Sequence, residues 1–206
     1  MLVVWLVGLC GGGVVAGEVK DAWSIELETM HNVRDMGSME NWLWTLGTNR
    51  IAIMRFPRWD MKELRSKREL EVFDRTQRFT IYLRPYGLAE VPKSGDWVGF
   101  LKERYPGYRL VNTPLNQASG YGPVTVLDFV RAKEDERLRS STEAYRVAMI
   151  PVGDRVVECG IRSALSNLLD QSGEPTPLSM DFGRFLVGFR PRSVLEASKT
   201  DEAGRK

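Results

Sequence analysis

Apolar residues along the chain alternate in some stretches and recur at helical spacing in others, and turn residues separate the two. Ile51-Ala-Ile-Met-Arg-Phe56 reads as a strand stopped by Pro57, after which Arg58-Trp59 turn the chain. Asp60 can cap a charged helix beginning near Met61, although Leu70, Val72 and the residues after Arg78 would equally suit the start of a hairpin; the helix is the favoured expectation. Arg78 to Arg84 alternates and is rich in aromatic and β-branched side chains, which predicts another strand, ended by Pro85-Tyr86-Gly87. Trp97, Phe100, Leu101 and Tyr105 stack on one helical face between Ser94-Gly-Asp96 and Pro106-Gly107. Tyr108 to Thr113 and Val124 to Ala132 resume extended patterns on either side of a long polar loop, residues 114–123.

Ala144 to Ile150 and Arg155 to Arg162 flank Pro151-Val-Gly-Asp154, where glycine and aspartate suit a tight turn, so an antiparallel meander is expected. Phe182, Phe185, Leu186 and Phe189 form a single stripe, predicting a helix over Asp181 to Arg190 that packs across the sheet. Beyond Pro191 no apolar periodicity survives, and residues 191–206 are expected to be a mobile tail. The fold class these elements predict is α+β, a largely antiparallel sheet covered by helices.

Residues 2–16 carry no charge, and Val14 and Ala16 suit signal-peptidase cleavage before Gly17. The run is shorter than the roughly 20 apolar residues that span a bilayer, so a secretory signal is expected rather than a membrane anchor. A basic stretch ahead of it is missing, and a buried glycine-rich strand is the alternative. The chain then divides into a signal at 1–16, an acidic segment at 17–49 with Trp23, Trp42 and Trp44, an α+β domain at 50–190, and the tail. The expected compartment is secreted, periplasmic or an organelle lumen.

With 43% apolar and 27% charged residues, the chain belongs with globular proteins. Its 29 basic and 27 acidic residues leave a net charge of +2, which does not announce a nucleic-acid partner. His31 is the sole histidine and Cys10 and Cys159 the only cysteines, too few for a zinc site of three or four Cys/His ligands; no metal or cofactor is expected. A Ser-His-Asp mechanism would hang on His31 alone, and Ser119 sits in no Gly-x-Ser-x-Gly pattern. The remaining enzymatic alternative is a small cofactor-free hydrolase using a carboxylate pair such as Asp128 with Glu158, provided the fold brings the two together. Cys159, in a candidate strand, reads as a small core residue.

Acidic residues dominate Gly17 to Asn49 and basic residues dominate Arg50 to Arg84. The candidate binding surface combines Arg55, Arg58, Trp59, Lys62 and Arg65 with the loop residues Asn116, Gln117 and Tyr121. Guanidinium groups fork onto carboxylates or phosphates, aromatic rings supply contact area, and amides orient a partner. That chemistry suits binding more than bond breaking. The expected function is an exported, non-enzymatic binding or assembly module that contacts a protein or an anionic envelope component.

The order of these elements, with the pieces RFPRW, FTIYLRP, DWVGFLKERYPG, TVLDFVRA, AYRVAMIPVGDRVVECGIRS and FGRFLVGFRP, resembles the PsbP/Mog1-like fold over roughly residues 50 to 190. The resemblance implies an α/β/α sandwich without catalysis: members of that group include exported or lumenal assembly proteins, and Mog1-like members bind a small GTPase inside the nucleus. An intracellular protein-binding factor is therefore the alternative it implies. Gly17 to Asn49 has no matching element in that family.

Overall fold

The computed structural model describes residues 23–30, 39–76, 79–111, 114–131, 142–170, 174 and 176–192. The expected signal at 1–16, the segment beyond residue 192, His31 and Cys10 lie outside the described residues.

The tryptophan-bearing segment forms strands. Trp42, Trp44 and Leu46 alternate along it, as do Ile51 and Ile53 further on, which is the period of a strand with one buried face. β1 (Trp23–Met30), β2 (Met39–Leu46) and β3 (Asn49–Met54) make an antiparallel ladder, and Gly47, at φ 60°, turns β2 into β3. β4 (Trp59–Leu64), β5 (Glu69–Asp74) and β6 (Thr80–Gly87) follow, then helix α1 (Trp97–Arg104). Next come β7 (Tyr108–Leu110), β8 (Leu115–Ser119), β9 (Gly122–Arg131), β10 (Glu143–Val152) and β11 (Arg155–Ala164). The short helix α2 (Leu165–Leu168), helix α3 (Pro177–Gly188) and β12 (Phe189–Pro191) complete the described chain.

One sheet has the order β1-β2-β3-β12, and a larger one the order β4-β5-β6-β11-β10-β9-β7 with β8 also paired to β9. Strand makes up 58% and helix 22% of the described residues, so the fold is mostly antiparallel β in two sheets and not the α+β sheet covered by helices that the sequence suggests. Side chains of β2 and β3 share a core with Leu70, Val72, Ile81, Leu83, Ile150 and Cys159 of the larger sheet and with Phe182, Phe185 and Phe189. Much of the cover expected from helices is thus a second sheet. Each large apolar side chain so buried contributes about 1.5–3 kcal/mol.

Three local expectations change with it. The charged stretch after Asp60 is the β4–β5 hairpin and not a helix. Arg58 and Arg68 bracket β4 in left-handed backbone, at φ 71° and 50°, which a helix through this stretch would not permit. Residues 114–123 are β8 and its turn into β9, pinned by Gly120 N–H donating to the Leu186 carbonyl at 3.0 Å. Pro85 continues β6 opposite Val157, since its fixed φ is compatible with extended backbone.

Elsewhere the sequence reading holds more closely. Asp96 caps α1 by accepting from Gly99 N–H at 2.9 Å. The helix expected over Asp181 to Arg190 is shifted: α3 starts at Pro177 behind the Thr176 cap and ends at Gly188, so Phe189 and Arg190 belong to β12. In the β10–β11 turn Gly153 alone has positive φ, 56°, the arrangement of a type II′ hairpin.

Candidate functional site

Arg58, in its left-handed conformation, delivers Trp59 to the first position of β4, and Trp59 N–H donates back to the Phe56 carbonyl at 3.1 Å. The Trp59 ring meets Phe56 at 4.6 Å, Phe79 at 5.2 Å and Phe185 at 5.9 Å between centroids. Over this cluster opens a cleft of about 720 Å³, with Trp59 and Phe79 against its wall and Arg58, Asp74, Asn167 and Asp181 around them. Asp74 accepts from Thr76 N–H at 3.2 Å, Asp181 pairs with Arg184 at 2.9 Å, and Asn167 donates to the Ser163 hydroxyl at 3.0 Å.

β4 is also an edge, with only β5 beside it among the described residues. Arg75 N–H donates to the Arg58 carbonyl at 3.0 Å, which fixes the parity of the ladder. Lys62 and Leu64 therefore bond toward β5, whereas Met61 and Glu63 turn their N–H and C=O groups to the open side. Met61 N–H is met there by the Asp60 carboxylate at 3.0 Å, while Lys62 projects into solvent.

Arg58, Trp59, Lys62 and Arg65 thus lie along one edge strand and its two ends; Arg65 pairs with Glu63 at 2.9 Å. Arg55 turns elsewhere, with its guanidinium 5.7 Å over the Trp42 ring and paired to Glu40. Asn116, Gln117 and Tyr121 belong to the opposite end of the strand order. Tyr121 packs on Phe189 at 5.7 Å, and Gln117 lies against Gly183 of α3. Trp59 touches α3 at Phe185, two residues from Gly183 and so on the other side of the helix. The structure gathers the first group and places α3 between it and the second.

The sequence reading missed a buried polar hub on the face of the large sheet beneath α1. Glu158, fully buried, accepts from the hydroxyls of Tyr86, Tyr105 and Tyr145, each at 2.5 Å, and from Arg84 Nη1 at 3.1 Å. Arg84 is also paired with Glu69, directly across on β5, and donates to the Tyr105 hydroxyl. Arg162 lies over the rings of Tyr82 and Tyr145 at 5.0 and 5.2 Å. Burial, reinforced by Glu158, pushes the phenol of Tyr105 up to about 12 and raises those of Tyr86 and Tyr145 above the ordinary tyrosine value, so all three remain donors. Burial opposes the charge on Arg84, yet its bond to Glu69 and the surrounding phenols and Glu158 outweigh that and raise its pKa.

Asp128 does not join Glu158. It sits opposite Arg146 and binds it in a two-pronged pair, 2.7 and 2.8 Å, on the other face of the sheet. Pairing of Met149 with Glu158 and of Arg146 with Ile161 puts the two carboxylates on opposite faces, so the pair expected of a hydrolase is split. Cys159, next to Glu158 but facing the other way, is fully buried, and burial raises its thiol pKa. Among the described residues, no three His, Cys, Asp or Glu side chains gather to hold a metal ion, and no helix is long and apolar enough to cross a membrane. The alternation of Tyr82, Arg84 and Tyr86 was visible in the sequence, but only the strand register shows that it meets Glu158.

Fold and site together define an antiparallel β protein of two sheets with an aromatic cleft beside an open edge strand. No protein-family model, curated protein or solved structure matches the chain.

Proposed function

We propose that the protein is an exported, non-enzymatic binding module that holds an extended segment of a partner protein against β4, with one apolar side chain of that segment in the cleft over Trp59. The observation that carries this reading is the edge of β4, which runs directly into the cleft with its outward carbonyls and the Glu63 N–H facing no strand among the described residues, while the outward N–H groups of Trp59 and Met61 are taken by the Phe56 carbonyl and the Asp60 carboxylate. An edge strand offers a row of backbone donors and acceptors to an added strand, and adjoining pockets supply side-chain specificity. The cleft's volume of about 720 Å³ is ample for an anchor side chain. Arg58, Asp74 and Asp181 on its lining favour a segment that carries both charges around that anchor. The division of Asp128 from Glu158 favours binding over carboxylate hydrolysis. The uncharged run before Gly17 supports a place outside the cytoplasm.

Glu63→Pro tests the reading, because it removes an outward N–H and leaves the β4–β5 ladder bonds intact. Tagged protein recovered from its native host should bring down a discrete partner, and recovery should fall about tenfold in the variant, the loss of roughly 1.4 kcal/mol. Partner recovery unchanged by Glu63→Pro contradicts the proposal. So does equal retention of both proteins on anionic phospholipid vesicles with no protein partner.

A further inference from the structure

A second cavity, of about 350 Å³, opens on the α1 face of the large sheet and is ringed by cations. Lys67 and Arg68 come from the turn between β4 and β5, Arg84 from β6, Arg104 from the last turn of α1, and Arg155 from the start of β11. We infer that this cavity binds a phosphate group, as inorganic phosphate or as the head of a small phosphate monoester.

Charge, shape and rigidity all point the same way. Among the described residues Glu90 is the one carboxylate on the lining, and it is drawn away to Gly87 N–H at 2.5 Å. Glu69 and Glu158 lie behind Arg84, and Asp154 stands 4.0 Å from Arg155. On the lining itself, among the described residues, five cations face the single carboxylate of Glu90. Two guanidinium groups are set in place beforehand: Arg84 is tied to Glu69, Glu158 and Tyr105, and Arg104 stacks over the Tyr86 ring at 4.8 Å with its Nε 3.9 Å from Glu158. Little side-chain ordering would then be lost when an anion arrives.

The cations approach from four separate parts of the chain. Such convergence matches a tetrahedral anion with three or four acceptor oxygens better than a planar carboxylate, which a single guanidinium can satisfy. Among the described residues Pro85 and Tyr86 are the only apolar ones on the lining, so the cavity suits the anionic head of a ligand and offers little to a large apolar body. The buried hub gains a role from this: it fixes Arg84 and Arg104 at the cavity wall.

The test is calorimetric titration of the full chain with inorganic phosphate and with glycerol phosphate, at constant ionic strength, beside sodium chloride and acetate. Arg104→Gln and Lys67→Gln are the variants, since both side chains are solvent-exposed, and Arg104 reaches the hub only through its 3.9 Å approach to Glu158 and its stacking on Tyr86. Saturable one-to-one binding is expected, weakened about tenfold by either change, with chloride and acetate silent. Tighter binding of glycerol phosphate assigns the site to a monoester, and tighter binding of inorganic phosphate assigns it to the free ion. Absence of saturable binding, an equal response to chloride, or an affinity that both variants leave unchanged overturns the inference.

Discussion

Glu158 has no solvent contact and satisfies three phenols and a guanidinium at once, so its removal takes the acceptor from the three phenols and leaves Glu69 as the carboxylate partner of Arg84. Glu158→Leu is therefore expected to cost about 3–5 kcal/mol, read as a lower urea midpoint. A variant within 1 kcal/mol of the native protein, about one factor of five in the equilibrium, would show that the hub is not the fixed element described above. Gly160 matters for a related reason. The Tyr145 side chain crosses directly over it to reach Glu158, and a Cβ at that position would overlap the phenol. Gly160→Ala should cost about 1–3 kcal/mol by overpacking, and thermal unfolding measures it. The sequence singles out Glu158 only as one of a possible carboxylate pair with Asp128 and Gly160 not at all, since Glu158-Cys159-Gly160 otherwise reads as an ordinary piece of strand. What gives them meaning is register: Glu158 stands across from Arg84 on β6, and Gly160 across from Val147, two pairs along from Tyr145 and so on the same face.

β4 shows how the same residues admit two elements. Between Asp60 and Val72 the chain is rich in Lys, Glu, Leu and Arg, good helix formers behind a capping aspartate, and that local preference favours a helix. Pairing with β5, itself paired with β6, outweighs it, with Trp59 and Met61 turned to the core and Arg68 at φ 50° closing the hairpin. The elements that were legible carry their own signals: Asp96 before α1, the phenylalanine stripe within α3, and Gly153-Asp154 between β10 and β11. The candidate site was legible to the extent that it is local. Arg58, Trp59, Lys62 and Arg65 are neighbours in sequence and remain so in space, whereas Asn116, Gln117 and Tyr121 depend on where α3 passes. Because Glu63 lies at a position that does not bond to β5, Glu63→Pro should change stability by less than about 1 kcal/mol, so lost partner recovery in that variant reports binding.

For the whole molecule, the acidic tryptophan-bearing segment decides the fold class. Its tryptophans are spaced as a strand requires, and the sheet they build covers the core that helices were expected to cover. Sequence alone carries the alternation but not the pairing of distant strands, and that pairing sets which face of each sheet is wet. Stability of the assembled protein should fall in alkali. Tyr86, Tyr105, Tyr121 and Tyr145 all keep their protons in the fold beyond the ordinary tyrosine pKa of roughly 10, because burial disfavours the phenolate. The unfolded chain loses those protons first, so the contribution of these groups is complete below about pH 10 and declines as pH rises toward and past the folded values, about 12 for Tyr105. Urea midpoints across that range should drop, and Tyr105→Phe should make the decline shallower; a midpoint flat through the range would contradict the assignment.

The most direct test of the binding account is photo-crosslinking in the native host from an unnatural residue at position 62, on the open edge of β4, compared with position 187 on the exposed side of α3. A discrete protein adduct from position 62, found outside the cytoplasm, absent from position 187 and lost when Glu63→Pro is added, is the predicted result. Adducts of equal yield from both positions, or an adduct at 62 that survives Glu63→Pro, would contradict it.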